Sequence, residues 1–544
     1  MNSRFGAIKV GFSWARIFVR PLVWNVLLAA LVAVVMGRIL IREMKVASRI
    51  GFTMDDAWIH AALARNLVEG NGFSINPGTP MAVSTSPAWT LLMAAFFLVY
   101  RNPVAAGLTA SFLCSALSVI VACELVRRLS GSRAAGLAAG LFLLLNPISL
   151  WGISSGMEVP LVLLSVLLVF AAHYLTEPAS KARRVFEPLA LALAATTRPE
   201  LFTIIPFALL DTWRQGAGRP GLPRRALPWN TIVLQMAILG LALLPYFLFN
   251  FSTTGHPFPT SFYAKASHRG IGLIGALQTG DRDDLLDSLF AGPQFQVLAL
   301  LRLIIEQSAV LALLIPLGLL AFTRSFRERA RGWFLPVSLA VLPLALGVMA
   351  PPDALANTAR RYYAIFMPYT AVLGALGLAV LWKSYRQRVL AVLGAGLILG
   401  VNLIPGWKVA TKKAAEDVDT IQRLYVKMGQ WIDRHVEPNA LLAVNDIGGV
   451  AYFGRREILD LIGLASPEMW PIILRGRDAV RDIPYMKKYL QKRGVDYLVV
   501  GAKYYPAYTR DQATFEPVAV FEEQFVSGHT WSPQVVYRCH WDKD

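Results

Sequence analysis

The sequence predicts a polytopic α-helical membrane protein that ends in a small α/β domain, and three observations carry that expectation. Mean hydropathy is +0.48, with 55% of the 544 residues hydrophobic and 16% charged, a balance reached when much of a chain faces lipid. Apolar runs long enough for membrane helices recur between basic clusters as far as Trp407. From Lys408 the composition changes: the last 137 residues hold 19 Lys+Arg against 18 Asp+Glu, leaving 34 against 17 in the hydrophobic part. The net charge of +18 therefore belongs to the membrane half, where cytoplasmic loops collect Lys and Arg, and it argues against nucleic acid as a partner. Residues 1–407 read as a membrane domain and 408–544 as an extracytoplasmic soluble domain.

Arg4, Lys9, Arg16 and Arg20 precede the first apolar run without a small-residue cleavage site. This predicts a cytoplasmic N-terminus and a retained first span, Pro21–Ile41. Residues 42–103 then form the first external loop, in which Asp55 and Asp56 open a helix with Ile59, Leu63 and Leu67 at helical spacing. Glu69-Gly70-Asn71-Gly72 closes it. Ala88–Tyr100 would be roughly 20 Å long as a helix, short of a hydrocarbon core of about 30 Å, and is expected to lie at the interface. A span from Val104 to Val126 then returns Arg127, Arg128 and Arg133 to the cytoplasm.

Spans follow at Ala134–Trp151 and Val159–Leu175, on either side of the turn SSGMEVP. Pro188–Leu210 is interrupted by Thr197-Arg198-Pro199-Glu200, which predicts two short helices meeting at a break. Asn230–Phe251 leads into a long external loop, Ser252 to Phe295. Val297–Phe322, Trp333–Ala350, Tyr362–Trp382 and Val389–Trp407 complete about eleven crossings and deliver the tail outside. The tail reads as a helix over Ala414–His435, a strand at 440–446, a helix around Tyr485–Lys492, and strands at 496–501, PVAVFEEQF and PQVVYRC. Cys114, Cys123 and Cys539 compose neither a disulfide framework nor a zinc motif.

Ionisable groups beside lipid are costly unless paired or used, and four sets converge on the outer side in this topology. Asp55 and Asp56, with His60 one turn on, either cap their helix or divide proton transfer between them. Glu158 sits in the turn SGME. Arg198, Lys265 and the Arg360-Arg361-Tyr362 run suit a lipid phosphate, or anchor the chain beside aromatics. His256 lies between Gly255 and Pro257. No ligand spacing supports a metal site, so the involvement of a divalent cation stays open, with Asp56 and Glu158 as candidate ligands.

MDDAWIHAALARNLVEGNGFSINPG followed by STSPAW resembles the first external loop of GT-C glycosyltransferases that use polyprenyl-phosphate sugars. The bacterial branch that includes the mycobacterial terminal arabinofuranosyltransferases is the nearest. SGME, TRPE, GHPFPTSFYAKA, RRYY and VNDIGGVAYFGRREILDLIGL extend the resemblance from about residue 50 to 465 in the family's order, and DRDD at 281–284 has no place in it. The resemblance implies a transferase of the bacterial inner membrane, surrounded by membrane lipid, with its tail periplasmic or otherwise extracytoplasmic. The donor would be a polyprenyl-phosphate sugar, a pentofuranose such as arabinofuranose among the candidates. The acceptor would be a hydroxyl of a cell-envelope glycan or glycolipid. It also implies Asp55 as general base with Asp56 as its partner, a single inverting displacement, and Arg198, Lys265 and Arg361 on the donor phosphate. His60, Glu158, His256, Tyr263 and Tyr362 are expected around the substrates. The alternative, a flippase or transporter of lipid-linked sugars, favours repeated halves and paired broken helices, whereas this chain shows one broken segment and no repeat.

Overall fold

Long apolar runs can satisfy their own backbone hydrogen bonds only as helices, and helices account for most of this chain. The computed structural model describes residues from Leu22 to Trp541; outside it lie 217–228, 268–272, 350–359, 382–388, 474–482 and shorter stretches. Among the described residues five helices are long and apolar enough to cross a membrane: Leu22–Ala47, Pro103–Ser130, Trp229–Thr254, Asp287–Gln307 and Arg361–Leu381. Shorter apolar helices, among them Arg133–Leu144, Val159–Leu175 and Phe334–Met349, pack between them. This is a multi-pass membrane protein.

The break expected at Arg198 is present. The Lys181–Thr197 helix ends there, Pro199–Ile204 forms a 3₁₀ turn, and a new helix runs Ile205–Gly216. Proline supplies no backbone N–H and disfavours helical geometry in the residue before it, which explains the stop. Two expected spans are divided instead. Val297–Phe322 becomes Gly292–Gln307 and Ala309–Arg329, separated by Ser308 in an extended conformation. Ala134–Trp151 becomes Arg133–Leu144 and Pro147–Gly152, where the Asn146 side chain accepts the Ile148 N–H and starts the second piece. The loop expected from Ser252 to Phe295 contains the helix Thr260–Ser267 and further helical turns from Arg282 onward. About half of Val389–Trp407, and the first residue of DRDD, lie outside the described residues.

The tail opens with helical segments running without interruption from Ile404 to His435. It continues into five strands: β1 (Leu441–Val444), β2 (Glu457–Asp460), β3 (Tyr497–Gly501), β4 (Phe515–Phe521) and β5 (Gln534–Cys539). Their order is β2-β1-β3-β5-β4. β1 pairs parallel with β2 and β3, whereas β5 pairs antiparallel with β3 and β4. Side chains alternate across the sheet. Leu442, Val444 and Val499 join the core shared with the membrane helices, while Ala443, Leu498 and Val500 face a second core with Met486, Leu490 and Tyr508. One face of the sheet is therefore continuous with the helical bundle. The chain leaves β1 first toward β2 on one side and then returns to β3 on the other. In such sheets the crevice beyond the carboxyl ends of the parallel strands is where functional loops gather.

Candidate active site

Met54 is extended, so Asp55 and Asp56 occupy the first turn of the Asp55–Val68 helix and project in different directions. Asp55 turns toward the tail. Its Oδ2 accepts the Gly448 N–H at 2.8 Å and its Oδ1 the Gly449 N–H at 2.7 Å. Both glycines are required by close approach: a Cβ at Gly448 would lie 2.0 Å from the Asp55 carbonyl oxygen, and one at Gly449 2.7 Å from that of Tyr425. Asp56 turns toward the bundle, where its Oδ2 accepts from Arg361 Nη2 at 2.5 Å. Its side chain is 37% exposed, against 3% for Arg361.

The loop beyond β1 adds a third carboxyl group. Asp446 Oδ2 accepts from the Tyr425 hydroxyl at 2.9 Å and from Gln534 Nε2 at 3.2 Å. Removal from water pushes the Asp446 carboxyl up to about 7; Tyr425 opposes the rise and the negative charge of Asp56 adds to it. Asp55 is raised by the same loss of water and by Asp446, against the two glycine N–H groups that favour its charged form. Asp460, at the end of β2, accepts from the backbone of Ile462, Leu464 and Ala465, and burial still lifts it to about 6.

The expected phosphate-binding cations differ in what surrounds them. Arg198 is held by Glu158 at 2.9 Å and Glu200 at 2.6 Å, with its guanidinium 4.4 Å from the Tyr362 ring centre. Arg361 lies on the same ring at 5.4 Å, its Nη1 beside the sulfurs of Met54 and Met157, and its buried Nε has no hydrogen-bond partner among the described residues. Both guanidinium groups thus lie against the Tyr362 ring. The side chain of Lys265 lies outside the described residues. His60 is buried, its Nδ1 2.7 Å from the Thr90 hydroxyl, and ties its helix to the Pro87–Tyr100 helix. His256 is exposed and packs on Tyr263 and Trp470, with ring centres 4.9 and 5.6 Å away.

The candidate cation ligands do not fit a metal ion as arranged. Asp56 is committed to Arg361 and Glu158 to Arg198, and among the described residues no group of three or more acid, histidine or cysteine side chains has a metal-holding arrangement.

Sequence reasoning left Gly448, Gly449, Tyr425 and Gln534 without a role. The glycine pair inside VNDIGGVAYFG was the available signal. It also passed over a second polar centre at the far end of the Val159–Leu175 helix. There His173 Nε2 lies 2.9 Å from Asp211, its Nδ1 bonds Glu187, and Arg183 and Gln235 reach Glu187 at 2.9 and 2.8 Å, all of them buried. Two carboxyl groups facing a guanidinium and an imidazole make a brace between helices rather than an accessible site.

The profile of a family described only as a domain of unknown function (DUF8728) matches residues 415–537, the greater part of the tail. Among curated proteins none matches the chain in sequence. Solved structures resemble it more broadly. The archaeal oligosaccharyltransferase AglB from Archaeoglobus fulgidus aligns at 13% identity and TM-score 0.56, over 92% of this chain and 70% of AglB. ArnT from Cupriavidus metallidurans aligns at 12% identity and TM-score 0.54, over 94% of this chain and 97% of ArnT. The mycobacterial arabinofuranosyltransferase AftD, at TM-score 0.45 over 40% of its own length, is too distant to bear on the sugar or the branch. Across at least 92% of its length, therefore, this chain shares the overall fold of AglB and ArnT.

Proposed function

We propose that the protein is a membrane glycosyltransferase that moves a sugar from a polyprenyl-phosphate donor to an acceptor hydroxyl on the extracytoplasmic side. The observation that carries this reading is the contact of Asp56 with Arg361: an accessible carboxylate lies directly on a buried guanidinium. These are the two groups a displacement at an anomeric carbon needs. The solved structures of this fold support the donor class, since AglB was captured with a dolichol-phosphate and ArnT with undecaprenyl phosphate.

Asp56 is the better placed of the two acids to act as base, because both oxygens of Asp55 already accept backbone N–H groups. The acceptor hydroxyl gives its proton to Asp56 as its oxygen forms the new bond to the anomeric carbon. The bond from that carbon to the phosphate oxygen breaks, and its electron pair leaves with polyprenyl phosphate. One displacement inverts the anomeric centre. Arg361 holds Asp56 in place through its ion pair and meets the charge that grows on the departing phosphate, as preplaced cations do in water-poor sites. Residues 1–407 would hold the donor and 408–544 would complete the acceptor side.

The test is release of polyprenyl phosphate by the full chain in lipid vesicles, with a panel of polyprenyl-phosphate sugars that includes arabinofuranose and with glycan acceptors. Acceptor-dependent release that disappears in Asp56→Asn supports the transferase and identifies its sugar. Lipid transfer across the bilayer without bond cleavage would instead establish the flippase.

A further inference from the structure

The tail grips the acid-bearing helix along its whole length. At the start, Gly448 and Gly449 hold Asp55. One turn on, the Trp58 ring packs against Phe453 and Tyr452, with centres 4.6 and 5.2 Å apart, and against Phe52 on its own side. Toward the end, Arg65 donates to the carbonyl oxygens of Tyr452 at 2.5 Å and Ala451 at 3.3 Å. Just past the helix, Asn76 exchanges two 2.9 Å hydrogen bonds with the backbone of Ile458, the second residue of β2. Every tail partner in this seam lies between residues 448 and 458, within the matched domain of unknown function.

An acid at a helix start ordinarily serves its own helix. Asp55 is instead spent on two N–H groups at the start of a helical turn 393 and 394 residues away. Its neighbour Asp56 shares the same turn of backbone, so the geometry that seats Asp55 also sets the direction of Asp56. We infer that the domain at 415–537 is the positioning half of the active centre: Gly448 and Gly449 seat Asp55, and Asp55 thereby aims Asp56 at Arg361. Asp55, Gly448 and Gly449 are positioning residues and Asp56 the catalytic one. A domain with this task must dock by close backbone approach, which the two glycines alone permit.

The inference rests on the transferase reading for its kinetic arm and is independent of it for its structural arm. In the full chain in lipid, Gly448→Ala lowers kcat for polyprenyl-phosphate release about tenfold or more, with donor KM within about twofold of wild type, the split expected when an interaction of the transition state is lost. Asp55→Asn, which keeps one acceptor oxygen, retains more activity than Asp55→Ala. Hydrogen exchange in residues 53–60 accelerates in Gly448→Ala and in Asp55→Ala. Leu490→Ala, which opens the second core without touching the seam, lowers thermal stability and leaves kcat unchanged.

Three results would overturn the inference. One is exchange at 53–60 unaltered by Gly448→Ala. Another is a kcat in Leu490→Ala that falls in step with stability as it does in Gly448→Ala, which would reduce the seam to adhesive. The third is Asp55→Asn as inactive as Asp56→Asn with exchange unchanged, which would make Asp55 the base. Should wild type release no polyprenyl phosphate from any donor, the transferase reading fails, and accelerated exchange in Gly448→Ala still decides whether the tail seats this helix.

Discussion

Asp56 and Arg361 meet at 2.5 Å although 305 residues separate them in the chain. The acid comes from the first turn after the first span, and the arginine from the 3₁₀ turn that opens the Arg361–Leu381 span. Their contact makes one site of two elements that are remote in sequence.

Asp56→Asn removes the proton acceptor while keeping the size of the side chain. Turnover is expected to fall by about 10²–10⁴-fold, with donor binding retained. Single-turnover release of polyprenyl phosphate, measured beside equilibrium binding of the donor, checks both halves.

Arg361→Gln leaves Asp56 without its cation and the leaving phosphate without its donor. A loss of about 10²–10³ in kcat is expected, with a smaller effect of Arg361→Lys, which keeps the charge and loses the planar fork. A rate in Arg361→Gln equal to wild type would remove the phosphate role.

Asp446 provides a pH test. Its carboxyl is raised to about 7 in the folded protein, so the folded state binds a proton that the unfolded chain, with its ordinary carboxyl, has already released. The contribution is stabilising at acidic pH and is lost as pH rises through about 7. Asp446→Asn keeps an oxygen for Tyr425 and Gln534 and cannot ionise. The gap in thermal midpoint between Asp446→Asn and wild type should therefore widen in favour of the variant from pH 5 to pH 8. A constant gap would show that Asp446 does not titrate in this window.

Glu158→Gln tests the second ion pair. Glu158 and Arg198 are each 4% exposed at the side chain, and neutralising one partner leaves the other short of compensation. Because Glu200 still pairs with Arg198, a loss near the low end, about 3 kcal/mol, is expected from denaturation in detergent. No loss would mean that Glu200 alone suffices.

Local chemistry decided what could be read without the fold. The break at Arg198 followed from Pro199, which acts on its own neighbours whatever surrounds it. The Val159–Leu175 helix and the strands β3 and β5 followed from apolar length and β-branched runs. The short strand β2 escaped because four residues, Glu457–Asp460, carry too little pattern to separate from a loop. Ser308 escaped because a single extended residue inside an apolar stretch leaves its hydropathy unchanged.

By itself, then, the sequence determined that this chain crosses a membrane several times, that Asp55 and Asp56 open a helix, and that the tail mixes helices with strands. Each of these rests on composition or on spacing within a few residues. Only the tertiary structure decided that Asp55 belongs to Gly448 and Gly449, Asp56 to Arg361 and Arg198 to Glu158. Adjacent residues in one helical turn point about 100° apart, so which acid meets the tail and which meets the bundle depends on how that helix is rolled between them. The roll is set by packing along Trp58, Arg65 and Asn76, whose partners lie in the tail, far along the chain.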